Sequence, residues 1–131
     1  MQITMSVISV DDQDNALEFY TGKLGFTKKT DMNMGPLRWL TVSSPEGAEG
    51  VELVLEKTDF PPAKTYQKAR FDAGIPAIAF TSSDIHTEYA QLKERGVTCR
   101  GAPRDMGPFT SFSFEDGCGN LLSLVQPASS T

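Results

Sequence analysis

The feature that most constrains the fold of this chain is an internal duplication, in which matching segments lie 71 or 72 residues apart. One repeated segment alone would carry little weight, but three occur here in the same order. Their common offset indicates two copies of one structural unit. The matches are Leu-Gly-Phe-Thr at 24–27 with Arg-Gly-Val-Thr at 95–98, Met-Gly-Pro at 34–36 with 106–108, and Val-Glu-Leu-Val at 51–54 with Leu-Ser-Leu-Val at 122–125.

The first copy has the residue pattern of a strand, a helix and three further strands. Alternating apolar and small residues open the chain as a strand would, and Asp11 and Asp12 follow as helix caps. Apolar residues then recur at helical spacing up to Gly25, a residue suited to end a helix. We predict strands at 3–10, 26–31, 37–43 and 51–56, and a helix over 16–24.

The second copy repeats this order. Ser83 or Asp84 is placed to cap its helix, and Gly96 is placed to end it. Between the copies a linker helix is predicted over 61–73, because Pro62 is favourable in a first turn. We predict the strands of the second copy at 77–81, 97–100, 109–114 and 121–126.

These elements predict an α+β fold: two tandem βαβββ modules forming a curved, partly closed mixed sheet with the helices outside. We expect the whole chain, 1–131, to be a single domain, with its last residues, 127–131, frayed. The first repeat covers about 1–57, the linker helix about 61–73, and the second repeat about 75–127. The concave side of such a sheet is a natural ligand cavity, so the site should lie where the copies meet.

Composition limits the classes of partner that we expect for this chain. The net charge of −5 and the pI of about 4.8 argue against a nucleic-acid partner, which would require a basic surface. No apolar run approaches the ~20 residues that span a bilayer, and the first residues lack the pattern of a signal peptide, so we expect a cytoplasmic protein without membrane contact. The two cysteines, Cys99 and Cys118, are predicted to be free thiols.

The sequence resembles the vicinal oxygen chelate superfamily, which includes glyoxalase I, bleomycin-resistance proteins, fosfomycin-resistance enzymes and extradiol dioxygenases. The resemblance covers about 3–126 and implies the same duplicated fold. The resemblance is a specific signal for the fold. It is only a weak signal for any particular reaction, because one fold hosts many functions. It is carried by Val-Asp-Asp at 10–12, Ala-Leu-Glu-Phe-Tyr at 16–20, Leu-Gly-Phe at 24–26, Val-Glu-Leu at 51–53 and the ten residues from Asp116 to Val125.

Metal-dependent members of this superfamily hold their metal at four strand positions, two in each repeat. The resemblance places these positions here at Met5, Glu52, Ala77 and Ser123. Only Glu52 is a good ligand for a hard or borderline divalent metal, whereas a catalytic metal normally has about three protein ligands. The only histidine, His86, is next to apolar Ile85 on the second helix and is expected to face solvent. We therefore predict no metal and no cofactor.

Glu52 is the best-supported candidate site residue, because it is an acidic residue within an otherwise apolar strand. It is a candidate general base if it faces the cavity, and an ordinary outward-facing glutamate if it does not. Arg38 and Trp39 are adjacent, so only one of them can line the cavity: Trp39 would stack on a planar ligand, and Arg38 would bind a carboxylate or phosphate. Phe112 is a further ligand-binding candidate, with core or dimer packing as its alternative.

Three functions remain open from the sequence. The first is a metal-independent homodimer that binds a small organic ligand in the concave cavity, with Met5, Ala77 and Ser123 among the cavity positions. The second is a lyase or isomerase of the glyoxalase type, with Glu52 as general base or as sole protein metal ligand. The third is a degenerate member that serves as an interaction module. Methionines at 32, 34 and 106, beside the two Met-Gly-Pro turns, are candidates for an adaptable mouth to the cavity.

Overall fold

The computed structural model describes residues 1–129, so the end of the tail predicted to fray lies outside the described residues. Within them, eight strands and three helices repeat one order twice, as the duplication predicts, with the linker helix between the copies. A π-helical turn, Phe19–Lys23, continues the first helix. The elements are β1 Met5–Val10, α1 Gln13–Glu18, β2 Thr27–Met34, β3 Leu37–Ser43, β4 Glu52–Lys57, α2 Pro61–Asp72, β5 Ile78–Thr81, α3 Ile85–Glu94, β6 Cys99–Asp105, β7 Phe109–Glu115 and β8 Leu121–Pro127.

Short-range signals set the ends of the helices. Asp12 caps α1 by accepting a hydrogen bond from the backbone N–H of Asn15 at 3.0 Å. Asp84, rather than Ser83, caps α3, because its carboxylate accepts the corresponding N–H of Thr87. Gly96, which follows α3, has a φ of 81°, a backbone conformation that glycine adopts without strain.

The strands form two four-stranded mixed sheets, in the orders β1-β4-β3-β2 and β5-β8-β7-β6. In each sheet the first strand of the copy runs parallel to the last, and the other neighbours are antiparallel. Neither sheet closes into a barrel within the described chain. The predicted α+β fold of two βαβββ modules is confirmed.

One face of each sheet packs against the helices. Because side chains alternate along a strand, every second residue of the central strands lies in this core. A single hydrophobic cluster contains residues of both copies, so the helix-side faces of the two sheets share one core. In the first copy the cluster includes Ile8, Val10, Leu40, Val42, Leu53 and Leu55 with Ala16 and Tyr20; in the second it includes Phe112, Phe114, Leu122 and Leu124 with Ile85 and Leu92.

Hydrogen bonds join the turn at 116–120 in the second copy to the first copy. The Tyr20 hydroxyl donates to the buried Asp116 carboxylate at 2.7 Å. The side-chain amide of Asn120 donates to the backbone carbonyl of Ser9 at 2.7 Å, and the amide of Gln67, from α2, donates to the same oxygen at 2.8 Å. These bonds satisfy a carbonyl at the outer edge of β1 and hold the copies together.

None of the described helices has both the length and the apolar character needed to cross a membrane.

Candidate functional site

Each sheet has a second face, turned away from the helices, which we call its open face. In the first sheet the parallel register pairs Met5 with Glu52 and Val7 with Val54. Side chains of paired residues lie on the same face, and these residues alternate with the core residues Leu53 and Leu55. The open face of the first sheet includes Met5, Val7, Met32, Met34, Leu37, Trp39, Thr41, Glu52 and Val54, and the pair Ser9 and Glu56 lies at its far end.

The rim of this open face is apolar and accessible. Met5 and Val7 are 53% and 58% exposed, and Met32, Met34 and Leu37 are each about half exposed. The centre is different, because Thr41 is fully buried under neighbouring side chains. A contiguous apolar surface with one polar group at its centre is typical of a binding site.

The polar group at the centre is the Glu52 carboxylate. The Thr41 hydroxyl donates a hydrogen bond to Glu52 Oε1 at 2.6 Å, from the neighbouring strand. A buried hydroxyl and a half-buried carboxylate thus fix one another's orientation. Glu52 lies on the same face as Met5, its partner in the parallel register.

Arg38 and Trp39 face opposite sides of β3, and the structure decides between them. Arg38 lies on the helix side, where its Nε and Nη2 atoms donate to the two oxygens of Asp31 at 2.9 and 3.0 Å. Its Nη1 atom donates to Asp14 of α1 at 2.7 Å. The guanidinium holds the pKa of Asp31 below its usual range. Trp39 therefore shares the open face with Glu52, and Arg38 does not.

The residues around Ser123 on the open face of the second sheet are small. Ser123 pairs with Ala79 on β5 and with Ser113 on β7. Ala77, the residue that the resemblance aligned with Met5, precedes β5 and donates its N–H to Leu121. The structural counterpart of the Met5–Glu52 pair is thus Ala79–Ser123. The matches at 24–27, 34–36 and 51–54 contain no information about this two-residue difference, because they lie outside the first strands.

Phe112 is not on either open face. It is 4% exposed and lies in the core, where its ring meets that of Tyr89 edge-on, with ring centres 5.1 Å apart. The alternation along β7 places it on the helix side together with Phe114. The core alternative stated for Phe112 from the sequence is therefore the one that the structure matches.

The side chains on the open faces do not fit a divalent metal. Among residues 1–129, no three histidine, cysteine, aspartate or glutamate side chains come close enough together to hold an ion. At the four positions of the paired strands, Glu52 is accompanied by Met5, Ala79 and Ser123, which offer a thioether, a methyl group and a hydroxyl. His86 is exposed on α3 and is not one of these four strand positions.

The fold and these faces together define a class: a duplicated α+β protein of the vicinal oxygen chelate type, with an open sheet face in each copy. A family model of the Glyoxalase/Bleomycin resistance protein/Dioxygenase superfamily matches residues 2–124, and the chain belongs to this superfamily. The predicted family membership is confirmed.

Individual relatives agree with this assignment. The chain is 52% identical over 126 residues to the uncharacterized protein YurT of Bacillus subtilis strain 168, covering 96% of this chain and 99% of YurT. The crystal structure of UcmS2 superposes with a TM-score of 0.83 at 32% identity, covering 95% and 97% of the two chains. TnmS3, described as an antibiotic binding protein from Streptomyces sp. CB03234, superposes with a TM-score of 0.78 at 26% identity, covering 98% and 97%.

Proposed function

We propose that this protein binds a small organic ligand on the open face of its first sheet without using a metal. The observation that carries the proposal is the make-up of that face: a half-exposed apolar rim around Trp39 and one carboxylate oriented by a hydrogen bond. The similarity to TnmS3, described as an antibiotic binding protein, supports a ligand of this kind.

The residues of the open face indicate the chemistry of the ligand. The Trp39 indole offers a flat surface on which an aromatic ring can stack. The flexible thioethers of Met5 and Met32 adapt to an irregular apolar outline. Glu52 would accept a hydrogen bond from a donor or a cationic group, which agrees with the net charge of −5. A planar aromatic compound with a basic group satisfies all three.

A second protomer is part of this proposal. Alone, the chain leaves Met5 and Val7 more than half exposed, and a homodimer would cover them. The small residues Ala79 and Ser123 of the partner's second sheet would leave room for a ligand between the two faces. A cytoplasmic location remains a prediction from the sequence.

Sedimentation equilibrium tests the dimer. Val7→Lys places a charge on the open face and should give a monomer, because burying an unpaired charge is costly. Phe60→Lys is the matched control, since Phe60 is 68% exposed and precedes α2 instead of lying on a strand of this sheet. Equal masses for both variants would contradict the proposed interface.

Ligand binding can be followed directly, because Trp39 is the only tryptophan in the chain. We expect metal-free bleomycin or ethidium, titrated in the presence of EDTA, to quench its fluorescence in a saturable way. By calorimetry, Trp39→Ala should weaken binding about three- to ten-fold, as expected for the loss of a stacking partner. Arg38→Ala, on the other face of the same strand, is the control and should retain affinity. Binding that disappears with EDTA and returns with Zn²⁺ would overturn the proposal.

A second candidate function is a lyase or isomerase of the glyoxalase type, and the hydrogen bond from Thr41 to Glu52 favours it. A carboxylate held in one orientation is what a general base or a sole protein metal ligand requires. The test is turnover of α-ketoaldehyde–thiol adducts. Retained binding with lost turnover in Glu52→Gln would support the enzyme; binding without turnover in the unchanged protein favours the binding function. If no compound shifts the melting temperature, the interaction-module hypothesis gains.

A further inference from the structure

The two copies repeat one order of elements and one strand order, but their corresponding turns pack differently. In the second copy the turn at 116–120 packs against the first copy, and its residues Asp116, Cys118 and Asn120 are at most 4% exposed. In the first copy the corresponding loop, 44–51, is exposed along its whole length. The turn of the second copy is therefore packed against the other copy, whereas the corresponding loop of the first copy is not.

The residues that join the turn at 116–120 to the first copy have counterparts in the other half of the chain. Those counterparts, all within residues 1–129, are not hydrogen-bonded to one another across the copies. Tyr20 donates to Asp116, and the backbone N–H of Asp11 donates to the carbonyl of Cys118. The duplication offset relates Tyr20 to Leu92 or Gln91, and Asp116 to Ser44 or Pro45. It also relates Asp11 to Ser83 and Cys118 to Glu46. All six of these counterparts line a single groove between the copies.

This groove has a volume of about 540 Å³, which is within the range of small-molecule sites. Its floor is apolar and includes Phe26 and Phe80, whose rings meet edge-on with centres 5.3 Å apart. Phe114 and Leu124 of the second sheet complete the floor. These residues belong to the helix side, so the groove is distinct from the open faces described above.

The charged groups on the groove favour a cation. Glu46 on the loop and Glu88 on α3 both line it. The only basic lining residue is Arg95, and its guanidinium donates a hydrogen bond to the backbone carbonyl of Lys23 at 2.7 Å. Two glutamates and one arginine thus line the groove; Glu88 accepts a hydrogen bond from the Ser82 hydroxyl, and the guanidinium of Arg95 is directed toward a neighbouring helix end. An occupant with an aromatic body and a protonated amine complements both the floor and the rim.

We propose that this groove is a second ligand site, which takes an amphipathic aromatic amine. The ligand would occupy the place that corresponds, through the duplication, to the one that Tyr20 and Asp116 fill. It would contact both copies, and its amine would lie toward the carboxylate of Glu46. The site does not depend on a dimer or on the function of the open face.

Nuclear magnetic resonance with three naphthalene probes tests the site. The probes are 1-aminomethylnaphthalene, 1-naphthalenemethanol and 1-naphthaleneacetate, which differ in the charge of the head group. We expect the amine to shift the amide signals of Gly25 and Gly47, which line the groove, in a saturable way. The indole signal of Trp39 reports binding at the open face separately, so a shift there does not count as evidence for the groove. Shifts at Trp39 alone would place the amine on the open face and overturn the groove site, as would the absence of any saturable shift.

Two glutamates on the same loop provide the charge control. Glu46→Gln should weaken binding of the amine about two- to five-fold, the effect expected for one exposed charge pair, and should not weaken binding of the neutral alcohol. Glu49→Gln, on the same loop but outside the groove, should change neither. Equal weakening by both variants, or tighter binding of the acetate than of the amine, would refute the assignment of a cationic ligand.

Discussion

Removing the Tyr20 hydroxyl tests whether the junction between the copies depends on a buried charged hydrogen bond. Asp116 accepts four hydrogen bonds: two from the backbone N–H groups of Cys118 and Asn120, one from the Asn120 amide and one from Tyr20. Tyr20→Phe deletes only the last of these. The ring itself remains, so its packing in the core is retained.

The size of the effect follows from burial. Tyr20 is fully buried and Asp116 is 1% exposed, so water cannot readily replace the lost donor. A hydrogen bond to a charged group contributes about 1.5–3 kcal/mol, and we expect the free energy of unfolding to fall by that amount. For a chain of this length the melting temperature should fall by roughly 5–10 °C.

The loss should depend on pH. Burial raises the pKa of Asp116, while the Tyr20 hydrogen bond acts to lower it. Because the raised pKa makes the folded state bind a proton before the unfolded chain does, stability from this group increases as pH falls through the folded pKa. Tyr20→Phe raises that pKa further. Its penalty should therefore be full above the folded pKa and should shrink as pH falls through it, since protonation removes the uncompensated charge.

Urea denaturation from about pH 8 down to the lowest pH at which the protein stays folded measures this dependence. Tyr89→Phe is the matched control: Tyr89 is half-buried on α3, and its hydroxyl makes no hydrogen bond within residues 1–129. We expect it to cost less than about 0.5 kcal/mol at any pH. The reasoning is refuted if the two variants lose equal stability, or if the penalty of Tyr20→Phe is independent of pH.

Three further predictions concern local structure. Burial raises the pKa of the Cys118 thiol to about 12, so a disulfide reagent at about pH 8 should modify Cys99 in the folded protein and Cys118 only after unfolding, as mass spectrometry can show. Gly119→Ala should lower the free energy of unfolding by about 1–2 kcal/mol, because the φ of Gly119 is 94° and an added Cβ would meet Gln67. Gly22→Ala is the control: Gly22 has open space around it, so this variant should be neutral or stabilising when the two are compared by thermal melting. Leu40→Ala should cost about 2–5 kcal/mol by urea denaturation, since Leu40 is fully buried and leaves a cavity; a cost below 1 kcal/mol would show that the core collapses around it.

Much of the fold could be predicted because its signals are local or repeated. The residue patterns placed seven of the eight strands within three residues of their observed bounds, whereas the strand predicted at 97–100 is observed at Cys99–Asp105; the aspartates at 12 and 84 lie where helices begin. Glu52 could be singled out because an acid within an apolar strand is unusual. The π-helical turn at Phe19–Lys23 could not be predicted, because helical spacing of apolar residues does not distinguish it from a continued α-helix.

What the sequence by itself determined is the set of elements and their twofold repetition. The tertiary structure decided which side of each strand faces a ligand: alternation allows Arg38 or Trp39 equally until α1 brings Asp14 to one side. It also decided that Ala79, not Ala77, pairs with Ser123, because register arises only when strands meet. Finally, it decided that the copies are closed at Asp116 and open at Ser44. The two loops differ in packing between the copies, which no segment of the chain specifies alone.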